Sequence, residues 1–381
     1  MKKALQLICI VAVMTIPAGC KSKGLPDDKN QYTIRCTIDD ASLEGEMVYL
    51  LNSDNTEMPV DSAQISNGGF VMKGSVDEPW AAFLVSESNS FSTPIIVEKG
   101  TIVVTTENIG GTLLNDRMQS FRNSLDLNNL EAQMEEYIDL YHNASTTPER
   151  AKAEHILDSL QNVANTLTLE KCWIFYHENP DNILGVIALE SICQVGDLTY
   201  TELDSIVKAA TPQVAKSKKI QAKLAQLHHI DATAVGKHYT DIQGQVSTEK
   251  GQYRNGRLSD LIDGKLALVD FYASWCGPCR NEIKDNLVPL WEKYKDKGLV
   301  IVGLNVWERG DAEARKAAHE KVMAELGITY PQLVDSTRTA TDTYGVNGIP
   351  QIMLIDKDGT ILARDLRGEA IEEAIKEALK K

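Results

Sequence analysis

The spacing of hydrophobic positions changes character twice along the chain and divides it into three stretches after a short leader. From Tyr32 to about Asn115 apolar and polar residues alternate, as in strands with one buried face. Tyr32, Ile34 and Cys36 form one such set, Met47 to Leu51 a second, and Ser66-Asn67-Gly68-Gly69 a turn before Phe70-Val71-Met72. Ile95-Ile96-Val97 and Ile102-Val103-Val104 flank Glu98-Lys99-Gly100-Thr101, which reads as a short hairpin connection. A small antiparallel sandwich or barrel over residues 32–115 fits this pattern. From Asp116 to Ala234 the period becomes helical: Leu130, Met134, Tyr137, Ile138 and Tyr141 share a face. Thr147-Pro148-Glu149 reads as an N-cap with Pro at the first helical position, and Asn179-Pro180-Asp181-Asn182 as a turn. Ile183 to Ile192 reads as a buried helix, and Thr201 as the cap of another before Pro212. This block, 116–234, is a helical connector.

From Val235 to Lys381 strands alternate with helices. After Val235-Gly236-Lys237 come a hairpin and Leu258-Ser259-Asp260-Leu261, then an apolar run from Leu266 to Tyr272 with β-branched and aromatic members, which predicts a buried strand. Leu299 to Val306 is a second strand, Asp311 to Leu326 a helix, and Gln332-Leu333-Val334 a third strand. Thr339 to Tyr344 is a short helix. Gln351 to Ile355 and Ile361 to Asp365 are strands around Lys357-Asp358-Gly359, and Glu369 to Leu379 is an amphipathic helix. Parallel strands with crossover helices and an antiparallel edge hairpin make an α/β domain over 235–381. The fold class is multidomain: an N-terminal antiparallel β sandwich or barrel, a helical connector and a C-terminal α/β domain.

The leader adds a location. Met1-Lys2-Lys3 is a positive start, Ala4 to Ile16 a short apolar run and Ala18-Gly19 a small-residue site, so residues 1–19 read as an export signal. The apolar run is too short to span a membrane. Cys20 follows directly and resembles the lipidated cysteine of bacterial lipoproteins, although Pro17 departs from the leucine-like residue usual three positions before it; simple cleavage is the alternative. Residues 20–31 are then a polar, lipid-anchored tether. With 54 acidic against 39 basic residues and a formal charge of −15, the 381-residue chain is a poor partner for nucleic acid. Seven cysteines in this length do not make a disulfide scaffold.

Two of those cysteines carry the chemistry. Cys276-Gly277-Pro278-Cys279 follows the buried strand, and the spacing permits a disulfide if the backbone curls into a turn. Gly277 and Pro278 permit that turn, and Arg280 to Ile283 continue it as a helix. A helix starting at Cys276 places its sulfur where unpaired N–H groups favour a thiolate, so Cys276 is the expected nucleophile. Half of a zinc site is the competing reading, but it needs two more ligands; there is no second Cys-x-x-Cys and His319 stands alone in a charged helical run. Cys172 and Cys193 read as two buried thiols or as a second disulfide, Cys36 as a small buried residue, and His228-His229 as a solvated pair.

Trp275-Cys276-Gly277-Pro278-Cys279 matches the thioredoxin active-site motif letter for letter. The chain from about Val235 onward resembles the membrane-anchored thioredoxin-like reductases of the TlpA/ResA type. The stretch before it, through Asp61-Ser62-Ala63, Gly69-Phe70, Gly74 and Glu98-Lys99-Gly100, resembles the β domain of unassigned role (DUF4369-like) that precedes thioredoxin domains in lipoproteins of Bacteroidetes. The first resemblance implies several roles. Asp270, six residues before Cys276, becomes the buried acid that accepts the Cys279 proton, against the plainer reading of a solvated strand-end carboxylate. Gly348-Ile349-Pro350 becomes the cis-proline loop beside the dithiol, with the Ile349 backbone pairing to an extended substrate segment. Glu282, on the face of Cys279, tunes the dithiol or is a surface carboxylate of the first turn. Trp275 packs over the dithiol and shapes the docking surface. Pro289 lies ten residues past Cys279, whereas relatives place the kinking proline about five past it, so the helix is expected to break later.

The same resemblance implies a thiol-disulfide oxidoreductase with no cofactor beyond its redox-active disulfide. The Gly-Pro pair is that of thioredoxin, whose potential lies near roughly −270 mV, which favours a reductase of protein disulfides. Its electrons would come from a DsbD/CcdA-like membrane donor, and its substrates would be apocytochrome c thiols or misoxidised envelope proteins. An oxidase or isomerase of the same fold and a non-enzymatic binding lipoprotein stand as alternatives. A peroxiredoxin is disfavoured because Phe271 to Trp275 lacks the Pro-x-x-x-Thr-x-x-Cys arrangement that activates a peroxidatic thiolate.

Overall fold

The computed structural model describes residues 30–125, 127–247 and 252–380. The expected signal segment, the lipidation site Cys20 and most of the tether lie outside the described residues. The chain forms two compact units: one holds the residues up to Leu198 together with Glu202–Gln221, the other Thr199–Thr201 and the chain from Ala222 onward.

In the first unit the alternating stretch folds into eight strands: β1 (Gln31–Thr37), β2 (Met47–Asn52), β3 (Asn55–Gln64), β4 (Gly69–Ser75), β5 (Trp80–Ser86), β6 (Ser92–Val97), β7 (Gly100–Val104) and β8 (Ile109–Gly110). They form two four-stranded sheets, in the orders β4-β1-β7-β8 and β3-β2-β5-β6. The inward residues of both, among them Ile34, Cys36, Leu50, Leu84, Ile102 and Val104, share one core, so the unit carries a sandwich. The turn at Ser66 to Gly69 is as expected, with Asn67 and Gly68 at φ +54° and +72°.

The hairpin expected between β6 and β7 does not form. β6 pairs with β5, while β7 pairs with β1, in parallel, so Glu98-Lys99 carries the chain from one sheet to the other. Glu98 is buried and accepts the N–H groups of Leu114 and Asn115 at 2.8 and 3.1 Å, which fastens this crossing to the helix that follows. The sheet containing β1 is therefore not wholly antiparallel.

Helices follow at Leu113–Leu125, Asn128–Asn143, Thr147–Glu178, Ile183–Val195, Tyr200–Ala209, Pro212–Ala215 and Lys218–Ala232. The cap of the long third helix is Thr146, one residue earlier than the pattern predicts. Its hydroxyl accepts the Glu149 N–H while the Glu149 carboxylate accepts the Thr146 N–H, a reciprocal pair that requires a spacing of three and leaves Pro148 second in the helix. Thr201 lies inside the helix Tyr200–Ala209 instead of capping it. Cys172 and Cys193 are buried thiols outside any disulfide, and burial pushes the Cys172 thiol up to about 11.

The second unit is built on one seven-stranded sheet: β9 (Gln243–Ser247), β10 (Tyr253–Arg257), β11 (Leu266–Tyr272), β12 (Leu299–Asn305), β13 (Gln332–Val334), β14 (Gln351–Ile355) and β15 (Ile361–Ala363). The order is β10-β9-β13-β12-β11-β14-β15, with β11, β12 and β13 parallel and the outer strands antiparallel. Every residue of β11 and β12 is buried, which is why both read as predominantly apolar runs, interrupted in β11 by Asp270. Strand alternation sorts β11 between two cores. Ala267, Val269 and Phe271 face the short helices Leu258–Ile262 and Thr339–Thr343; Leu266, Leu268 and Tyr272 face Ile283 and Leu287, Val322 of Ala312–Leu326, and Ile371 and Ile375 of Glu369–Ala378. Asp270 falls on the second face. Parallel strands, helices on both sides and an antiparallel edge are the plan that the sequence resemblance implied.

Pro289 does not break the helix after Cys279. Gly277–Glu282 passes through a π turn, Ile283–Leu287, into Val288–Tyr294, with Pro289 in the first turn of the last segment. A proline donates no hydrogen bond and its ring crowds the carbonyl four residues back, and the wider π turn absorbs both effects.

Candidate redox site

The site grows from the end of β11. Beyond Tyr272 the chain turns through Ala273-Ser274-Trp275. The Cys276 N–H donates to the Ala273 carbonyl at 3.1 Å, and the Cys276 carbonyl accepts the Arg280 N–H at 3.1 Å, which starts the helix. Cys276 is thus the N-cap residue, and its sulfur accepts the Cys279 N–H at 3.2 Å. The two cysteines form a disulfide with Cα atoms 5.3 Å apart. Their exposures differ in a way that decides their chemistry: Cys276 is 5% exposed and Cys279 0%, so an approaching group meets Cys276. Gly277 and Pro278 open the helix and are exposed. Gly277 is not in the left-handed region, and a Cβ on it would meet nothing within 4 Å, so the turn itself does not require glycine. Its smallness keeps the surface beside Cys276 low.

Ile349 and Pro350 come to the same place from the strand on the other side. The Ile349–Pro350 bond is cis, and the Ile349 carbonyl oxygen lies 3.8 Å from the Cys276 sulfur. The Arg367 guanidinium donates to the Pro350 carbonyl and, at 2.7 Å, to that of Leu366. Trp275 is exposed, and its partners belong to the loop after β12: its indole N–H donates to the Trp307 carbonyl at 2.9 Å, and the Arg309 guanidinium stands 4.4 Å above its ring.

Asp270 is fully buried, which rules out a solvated strand-end carboxylate, and neither carboxyl oxygen has a hydrogen-bond partner among the described residues. Burial pushes its acid up to about 8; the Arg367 guanidinium pulls it down and the Glu282 carboxylate pushes it further up. Glu282 is half-buried and accepts the Gly368 N–H at 2.9 Å and the Asn286 amide at 2.8 Å. It ties the helix to the loop that carries Arg367 while bearing on the charge of Asp270.

Other polar side chains at the site escaped the sequence reading. The Glu308 carboxylate accepts the Ser274 N–H and hydroxyl at 2.6 and 2.7 Å and the Asn305 amide at 2.8 Å, which fastens the turn before Cys276 to the end of β12. Tyr253, Ser247, Gln332, Gly303 and Asp270 lie in one register row across five strands. At its outer end the Tyr253 hydroxyl meets His319 Nδ1 at 2.7 Å; His319 is buried, not isolated on a charged surface, and burial lowers the pKa of its imidazole. Further in, the Tyr272 hydroxyl donates to Gln332 Oε1 at 2.7 Å. No local signal marks these residues, because cross-strand register brings them together.

A reachable sulfur, an enclosed partner three residues on and a buried acid on the same face of the sheet can together exchange a dithiol for a disulfide. Comparison with known proteins bears on that chemistry. Residues 235–364 match the AhpC/TSA family and residues 32–118 a domain of unknown function, DUF4369. The thiol-disulfide oxidoreductase ResA of Bacillus thuringiensis subsp. konkukian is 33% identical over 128 residues, which are 33% of this chain and 69% of that protein. The thiol:disulfide interchange protein CycY of Rhizobium leguminosarum bv. viciae is 34% identical over 154 residues, 38% of this chain and 77% of that protein. Among solved structures, the thioredoxin domain of a thiol-disulfide oxidoreductase from Bacteroides vulgatus is 29% identical and covers 38% of this chain and 96% of its own, with a TM-score of 0.33.

Proposed function

Because the chain belongs to the thioredoxin-like thiol-disulfide oxidoreductases of the ResA type, we propose that it runs as a reductase of protein disulfides, with Cys276 as nucleophile, Cys279 as resolving thiol and Asp270 as proton acceptor. The observation that carries this reading is the pairing of a reachable Cys276 with an enclosed Cys279 at the start of one helix, over a buried acid. In the reduced protein the Cys279 N–H and the start of the helix favour a Cys276 thiolate. That thiolate attacks a substrate disulfide, forms a mixed disulfide and expels the first substrate thiolate, which takes a proton from solvent. Cys279 then gives its proton to Asp270 and attacks the Cys276 sulfur. The mixed disulfide breaks, the second substrate thiolate leaves and collects the proton, and two electrons have passed from the dithiol to the substrate. A protein dithiol must reduce the Cys276–Cys279 disulfide before the next turnover.

The Ile349 backbone, next to the Cys276 sulfur, is suited to pair with an extended segment around the substrate disulfide. Trp275, Gly277 and Pro278 supply the exposed surface on which that segment lies. The leader supports export and anchoring through Cys20, hence a periplasm-facing site supplied by a DsbD/CcdA-like membrane donor; apocytochrome c and misoxidised envelope proteins fit as substrates. Equilibration of the protein with glutathione and dithiothreitol buffers tests the direction. A potential near thioredoxin's, roughly −270 mV, is expected; a value near DsbA's, about −120 mV, would make it an oxidase or isomerase.

A further inference from the structure

Asp270 is surrounded by groups that interact with its charge, yet it receives no hydrogen bond among the described residues. Tyr272 stands two positions on along its own strand, Glu282 is on the helix, Arg367 is on the loop before the last helix, and Tyr330 lies just ahead of β13. Of these, Tyr272 and Tyr330 are phenols whose pKa burial raises; the Tyr330 hydroxyl has no hydrogen-bond partner among the described residues, and the Tyr272 hydroxyl has one. The Tyr272 hydroxyl interacts with the Asn305 side chain as well as with Gln332, and the acceptor that takes its proton is Gln332. The Gln332 amide nitrogen lies 3.1 Å from both the Tyr330 and the Pro331 carbonyl oxygens, so the NH2 must point there and Oε1 is left as an acceptor. The Tyr272 hydroxyl, 2.7 Å away, donates to it.

The place of that amide also matters. It lies over Gly303, where a Cβ would come within 2.4 Å of Oε1 and 2.5 Å of Nε2. Gly303 is the register neighbour of Gln332 on one side and of Asp270 on the other. The missing side chain therefore admits the amide to the row of the acid, and the amide turns the phenolic proton toward itself.

We propose that Gln332 is a positioning residue for the redox reaction: by engaging the Tyr272 proton it withholds that proton from the Asp270 carboxylate, which leaves Asp270 a strong enough base for Cys279. This rests on Asp270 being the proton acceptor of Cys279. Removal of the Gln332 acceptor frees the Tyr272 hydroxyl to donate to Asp270; a hydrogen bond to a carboxylate favours its charged form, and the base weakens. Gln332 acts through Tyr272 and touches neither sulfur nor substrate.

The test is the pH dependence of single-turnover insulin reduction by the reduced protein. It compares wild type, Asp270→Asn, Gln332→Met, Tyr272→Phe and the double variant Tyr272→Phe/Gln332→Met. Asp270→Asn loses the acidic limb of the profile. Gln332→Met moves that limb to lower pH by about one unit. Tyr272→Phe keeps the limb at the wild-type pH, and Gln332→Met no longer moves it in that background. If Gln332→Met leaves the limb in place while Asp270→Asn abolishes it, or shifts it equally without the Tyr272 hydroxyl, the role of Gln332 is refuted and that of Asp270 stands. If Asp270→Asn retains the limb, the role of Asp270 fails and the proposal falls with it. Should Gln332→Met not fold, infrared difference spectroscopy of the wild type decides. The protonated Asp270 carboxyl must absorb as an acid without a hydrogen-bond donor and be unmoved by Tyr272→Phe. A hydrogen-bonded band that Tyr272→Phe displaces overturns the proposal.

Discussion

Replacement of Asp270 by asparagine separates the cost of a buried charge from everything else the residue does. The carboxyl is fully buried and its acid is raised from an ordinary 3.8 to about 8. Between those values the native state holds a proton that the unfolded chain has lost. Stability therefore falls as pH rises through this window and is level above it. A shift of about four units at 1.36 kcal/mol each puts the full cost near 6 kcal/mol above pH ~8. Asparagine keeps the volume and cannot ionise; its own unpartnered amide costs an amount that does not change with pH. The variant should gain on wild type as pH rises, by about 3 kcal/mol for each two units inside the window. Guanidinium unfolding of the oxidised proteins from about pH 5 to 8 measures this, with hydrogen exchange of the peptide spanning Leu266–Tyr272 assigning the transition to this sheet. Parallel stability curves for variant and wild type across that range would refute a raised acid at Asp270, and a wild type that gains on the variant would reverse the sign of the reasoning.

Other outcomes follow from the same neighbourhood. Glu282→Gln removes a negative charge that raises the acid of Asp270, and Arg367→Met removes a positive charge that lowers it; the first should move the pH dependence of Asp270 down and the second up, read from the acidic limb of insulin reduction, and shifts of the same sign would contradict the assignment. Gly303→Ala should destabilise the protein by about 1–3 kcal/mol, seen in its thermal midpoint, because the new methyl meets an amide held by three hydrogen bonds; an unchanged midpoint would show that the amide moves freely. In the reduced native protein a thiol reagent should label Cys276 well before Cys36 and Cys172, because the start of the helix favours a thiolate at Cys276 while burial pushes the other two thiols up to about 12 and about 11; labelling of Cys36 or Cys172 as fast as Cys276 would contradict that difference in thiolate character.

How much of this the sequence disclosed depended on whether the relevant information was local. β11 and the dithiol were legible together, because an apolar run on both alternating faces predicts a strand buried on both sides and the cysteine spacing confines the turn after it. Asp270 was legible for the same reason: a carboxylate within that run has nowhere to go but inside. The crossing at Glu98-Lys99 was misread as a hairpin, since turn residues specify a change of direction and not the sheet in which the next strand pairs. The Thr146 cap was missed by one residue, because Thr147 presents the same chemistry and the deciding partner is Glu149. Gln332, Glu308 and His319 were illegible as site residues. Each acquires its role from a strand or helix far away in sequence, as Gln332 does from the absent side chain of Gly303. Pro289 announced a disturbance of the helix but not its form, a π turn that keeps the helix continuous.

Trapping the first covalent step tests the roles of Cys276 and Cys279 most directly. Reduced Cys279→Ser protein is mixed with a disulfide-containing substrate such as insulin, and the products are separated on a non-reducing gel and mapped by mass spectrometry. A stable mixed disulfide at Cys276, released by dithiothreitol, is expected, with no adduct from Cys276→Ser, whose remaining Cys279 is fully enclosed. An adduct at Cys279 in Cys276→Ser, or none at Cys276 in Cys279→Ser, would contradict the assignment of nucleophile and resolving thiol on which the proposed reaction rests.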